Sequence, residues 1–71
     1  MNKLKQIILQ EVNKEGSANS IYIAFRIRFN NNMTEYSNSE IDIAFQELIN
    51  EGYLIQTEKE FYYKVKEGIR Q

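Results

Sequence analysis

Apolar positions divide the chain into four stretches, each with its own period. Between Asn2 and Glu15, Leu4, Ile7, Ile8 and Val12 recur at i, i+3, i+4 and i+8. That spacing lines them along one side of an α-helix. Lys3, Gln6, Gln10 and Asn13 fall off the stripe, and Gly16 follows where a helix commonly closes with a left-handed residue. An amphipathic helix is predicted over 2–15.

Residues 17–30 fit two patterns. Ile21, Ile23, Phe25, Ile27 and Phe29 alternate as a strand would. Ile21, Ala24, Phe25 and Arg28 also fit one side of a helix, with Asn19 or Ser20 available to cap it. Helix is the preferred reading because a short second helix is what the following segments call for; periodicity alone leaves a buried strand open. Asn30, Asn31 and Asn32 then start a turn, since Asn tolerates left-handed backbone, and the connection runs to about Tyr36.

The clearest element spans 37–51. Ser37 and Glu40 stand in the S-x-x-E spacing of a capping box, in which hydroxyl and carboxylate each satisfy a free backbone N–H. Ile41, Ala44, Phe45, Leu48 and Ile49 make its apolar stripe, and Gly52 ends it. Residues 53–57 and 60–66 read as two strands of a hairpin, with the turn at Glu58 and Lys59. A two-residue turn would put Leu54, Phe61, Tyr63 and Val65 on the core face and Tyr53, Ile55, Tyr62 and Lys64 on the outer face. The expected architecture is α+β: three helices followed by a two-stranded β-hairpin, in a single domain over 1–71.

Ile23-Ala24-Phe25-Arg26-Ile27 resembles the second helix of winged helix-turn-helix domains, where a small residue lets the third helix pack close. Ser37-Asn38-Ser39-Glu40-Ile41, then Ala44-Phe45, Leu48 and Gly52-Tyr53-Leu54-Ile55, resembles that family's third helix running into its first wing strand. The resemblance covers residues 2–66 and rests mostly on packing and capping signals. It implies a small transcriptional regulator that binds double-stranded DNA as a dimer. The exposed side of the third helix, Asn38, Ser39, Asp42, Ile43 and Gln46, would meet base edges in the major groove. Lys59, Lys64 and Lys66 on the wing would hold the phosphate backbone. In two respects the chain departs from the family: its turn before the third helix is long and Asn-rich, and that helix carries Glu40, Asp42, Glu47 and Glu51 with no Lys or Arg.

Charge therefore supports a second reading. The 71 residues sum to a formal net charge of −1, where a dedicated DNA binder is usually basic. Lys3, Lys5, Lys14, Arg26 and Arg28 place the positive charge on the first two helices, and the wing adds the rest. Arg26 and Arg28 sit among apolar residues and would bind either phosphate or, the preferred reading, acidic residues of the third helix. Tyr is enriched at protein interfaces. The alternative function is accordingly a protein–protein interaction module, binding a partner or itself through Ile43, Tyr53, Ile55 and Tyr62.

Composition narrows the remaining classes. Hydrophobic residues are 42% and charged residues 27%, which is globular rather than disordered composition. There is no Cys and no His, hence no disulfide, thiolate ligand, imidazole base or histidine metal ligand. Gly16, Gly52 and Gly68 form no phosphate-binding loop. A calcium loop from Asn30 fails because Ile41 stands where the twelfth-position carboxylate is needed. Neither enzyme activity, a cofactor nor a metal is expected. The longest apolar run, Ile21 to Phe25, is far short of the ~20 residues of a membrane span. No secretory signal is read at the N-terminus, so the expected location is the cytoplasm, where the Asn32-Met33-Thr34 sequon would not be glycosylated.

Overall fold

The computed structural model describes residues 2–67. Helix α1 runs Lys3–Glu15, with Asn2 outside it as the N-cap, its side-chain oxygen accepting from the Lys5 N–H. Gly16 closes it at φ 86°, a value that favours glycine. Helix α2 covers Ser20–Phe25 and is capped by Asn19, whose side chain accepts from the Tyr22 N–H at 2.7 Å. The segment that fitted both helix and strand is therefore helical. It continues as a π-helical turn over Arg26–Asn30, where the Asn31 N–H reaches back five residues to the Arg26 carbonyl. Helix α3 covers Asn38–Asn50, and both halves of the Ser37–Glu40 capping box are made, at 3.0 and 3.1 Å.

Each helix gives one row to a common core. Ile8, Leu9 and Val12 come from α1, Ile23 and Ala24 from α2, Ile27 from the π turn, and Ile41, Ala44, Phe45 and Leu48 from α3. Full burial of each large apolar side chain contributes roughly 1.5–3 kcal/mol. Ile7 is only half-buried, whereas Leu9 and Glu11 are buried, so α1 is covered over a wider arc than its sequence stripe suggests. Met33 was not anticipated in the core. The Asn-rich turn folds inward, its Met33 N–H bonded to the Ile27 carbonyl, after Asn32 takes the left-handed conformation at φ 55°.

Strand β1 (Leu54–Gln56) pairs antiparallel with β2 (Tyr63–Val65), Ile55 opposite Lys64. The hairpin connection is longer than the expected two residues. Thr57 to Tyr62 lie between the strands, closed by the Thr57 N–H on the Tyr62 carbonyl and the Tyr62 N–H on the Lys59 carbonyl. The consequence is a correction at Phe61. It does not face the core; it sits in the loop at φ 67° with its ring in solvent. Leu54, Tyr63 and Val65 do turn inward, and Tyr63 meets Phe45 edge-on at 5.6 Å between centroids. Tyr53 also packs against the core rather than joining Ile55 outside. Beyond the hairpin, Ala18 bridges the far edge of β2 through two 2.9 Å bonds with Tyr63.

Phe45 is fully buried on α3 and meets Tyr63 of the hairpin, so Phe45→Ala is expected to cost about 3–5 kcal/mol. Ser37→Ala removes one half of the capping box and is expected to cost only about 1 kcal/mol. Urea titrations followed by far-UV circular dichroism would measure both; equal losses would contradict this placement of the core.

Candidate interaction surface

A buried charge sets the rotation of the second helix. Glu11 on α1 is only 2% exposed, and its carboxylate accepts from Arg26 Nε at 2.8 Å and from Lys14 Nζ at 3.1 Å. Arg26 also donates from Nη1 to Glu15 at 2.7 Å and to the Tyr22 hydroxyl at 3.1 Å. Burial alone pushes the Glu11 carboxyl up, but the hydrogen bonds from Arg26, Lys14 and Asn31 outweigh it and hold the pKa below the ordinary glutamate value. Arg26 thus pairs internally, but with α1 rather than α3, and Arg28 makes no ion pair among the described residues, meeting α3 only through the Asn38 side chain.

With Arg26 anchored on α1, the inward row of the second helix is Ile23, Ala24 and Ile27. The other apolar row faces water: Ile21 is 82% exposed, Phe25 54% and Phe29 62%. Phe25 and Phe29 lie with ring centroids 5.0 Å apart. Between this row and the first half of α3 runs a groove of about 350 Å³, bordered on the α3 side by Asn38 and Asp42. Arg28 lies in the same groove, donating to the Asn38 side chain at 3.3 Å. Its Nε is buried without a hydrogen-bond partner among the described residues. A second groove, of about 240 Å³, continues past Ile21 to Gln46 and Phe61. Phe61 is 69% exposed, so the apolar surface extends from Phe29 at one end to the wing at the other. An aromatic residue held at positive φ is uncommon and costs on the order of 1–3 kcal/mol.

The residues expected to read bases divide between two sides of α3. Asn38, Asp42 and Gln46, four residues apart, border the apolar grooves just described. Ser39 is exposed in the first turn, and Ile43 is exposed beside Leu4 and Tyr36 in a separate groove of about 360 Å³. On the wing, Lys59 Nζ stands 4.2 Å from the centre of the Tyr62 ring, and Lys64 and Lys66 are exposed without a carboxylate partner among the described residues. Of the alternative interface, Ile55 is exposed, Tyr62 is half-buried beneath Lys59, and Tyr53 lies against the core.

Most of the acidic charge on α3 is already engaged. Lys5 of α1 bridges Glu47 at 3.1 Å and Glu51 at 3.0 Å, and these bonds, Glu51 foremost, raise its pKa. Glu40 is held in the capping box. Asp42 alone of the four has neither an ion pair nor a side-chain hydrogen bond among the described residues. Sequence reasoning did not single out the Ile21, Phe25 and Phe29 row: the helical fit joined Ile21 to Phe25 on one side of a helix, but with Ile23 and Ile27 on another side, spacing does not say which side is interior.

No protein-family model, curated protein or solved structure matches the chain. Among the described residues, no helix is long and apolar enough to cross a membrane, and no three acidic side chains converge as a metal site would require.

Because the Glu11 pKa is depressed on folding, its contribution to stability is present above the ordinary glutamate range near ~4.3 and is lost as the pH falls through and below it. The melting temperature should therefore drop between neutral and strongly acidic pH, and Glu11→Gln should flatten that drop. Parallel pH profiles for the two proteins would refute the assignment.

Proposed function

We propose that the chain is a non-catalytic binding module of winged-helix type, acting in the cytoplasm, whose α2–α3 face binds protein. The observation that carries this reading is the exposed Ile21, Phe25 and Phe29 row lying beside Asn38 and Asp42. In DNA-reading domains of helix-turn-helix construction the third helix enters the groove and its neighbour crosses the backbone. Here the neighbour would bring aromatic rings to the phosphates, and the third helix would bring an unpaired carboxylate. Apolar side chains grouped on one face gain most from another apolar surface.

DNA binding is the second reading, favoured by one observation: Lys64 and Lys66 are exposed on the wing and free of carboxylates among the described residues. On that reading Asn38, Ser39, Asp42, Ile43 and Gln46 would reach base edges.

Titrating mixed-sequence duplex DNA into isotopically labelled protein at falling salt separates the two. On the protein-binding reading the amide signals of Ser39, Asp42, Gln46 and Lys64 stay in place at low salt. Salt-sensitive movement of those four would transfer the assignment to DNA. In that event Lys64→Ala should weaken binding to every sequence, and Gln46→Ala should weaken only the preferred one.

A further inference from the structure

We infer that the occupant of the α2–α3 face is a second copy of this chain, related to the first by a two-fold axis; this rests on the protein-binding reading above. Three features of the face make it self-complementary, as a two-fold contact requires.

The first is shape. Ile21, Phe25 and Phe29 form a ridge along one helix, and the groove bordered by Asn38 and Asp42 runs beside it. Ridges of four-residue spacing seat in the grooves of a facing helix pair. Turning one copy over onto the other places each ridge in the other's groove.

The second is charge. The groove holds one cation, Arg28, and one carboxylate, Asp42, and neither has an ion-pair partner among the described residues. A two-fold operation that brings Arg28 of one copy to Asp42 of the other makes that pair twice. With a net charge of only −1 per chain, two copies repel each other weakly.

The third is area. Aromatic side chains present on the order of 200 Å² each, so the exposed parts of Ile21, Phe25, Phe29 and Phe61 offer roughly 500 Å² per copy. Two such faces remove about 1,000 Å² from water before any rim residue is counted, the scale at which a specific interface begins. Phe61 adds to this area from a backbone conformation that a buried hairpin does not need.

Sedimentation equilibrium of the full chain from micromolar to millimolar concentration tests the assignment, with circular dichroism as the check on folding. The wild type is expected to pass from monomer to dimer. Phe25→Glu, at an exposed position, should weaken the dimer by roughly 30-fold or more, the effect of a central aromatic. Phe61→Gly relieves its backbone and should weaken the dimer while the fold stays as stable or becomes more so. Asp42→Arg sets two cations on each face and should weaken it by about tenfold; combining it with Arg28→Glu should restore it. A chain that remains monomeric at millimolar concentration, or a dimer indifferent to Phe25→Glu, overturns the second-copy assignment. Failure of the double variant to recover overturns the pairing of Arg28 with Asp42. Neither result is the one that would remove the protein-binding reading itself, which falls only to salt-sensitive DNA shifts at Ser39, Asp42, Gln46 and Lys64.

Discussion

Glu11 and Arg26 hold the second helix against the first, and what that helix buries or exposes follows from their contact. A carboxylate this far from water is stable only with cationic donors in reach, and Arg26 and Lys14 supply them. Once Arg26 is committed to α1, a helix with apolar side chains on several sides can turn only one of them inward. Ile23, Ala24 and Ile27 take the interior. Ile21, Phe25 and Phe29 are left facing water beside α3, and the character of the exposed face is set by that remainder.

The sequence reveals the elements more readily than their faces. The capping box at Ser37 and Glu40, the glycines that close α1 and α3, and the three-helix-plus-hairpin order are local signals, and each is found where its residues predict it. Strict alternation over Ile21 to Phe29 is not a local signal of the same kind, because a run rich in apolar residues satisfies both periods at once. Long-range contacts decide which residues of the run are interior: the pairing of Arg26 with Glu11 across fifteen positions and the packing of Ile23, Ala24 and Ile27 against the other helices. The same limit applied to the wing. Without a preferred turn dipeptide, nothing near Glu58 and Lys59 specifies the length of the connection, and the six-residue loop turned Phe61 from an expected core residue into an exposed one. Pairing Arg26 with α3 was reasonable from the abundance of acids there, but Lys5, one helix away, already occupies Glu47 and Glu51.

Charge on the third helix looks different once its partners are known. Four acids and no base suggested a uniformly repulsive surface toward phosphate. In the fold, two of them are bridged by Lys5 at the C-terminal end of α3, where negative charge is least welcome against the helix dipole, and a third caps the N-terminus, where it is favourable. The carboxylate that remains, Asp42, stands at the one place on α3 where an aromatic groove and an arginine are also found.

The bridge from Ala18 to Tyr63 has a consequence for how the domain comes apart. Tyr63 is the residue that joins the segment after α1 to the hairpin and also lays its ring edge against Phe45. Loosening the hairpin therefore takes two things from the helices at once, the backbone partner of the segment around Ala18 and the cover on that side of Phe45. Fraying of the wing and opening of the core edge are in this way one event rather than two.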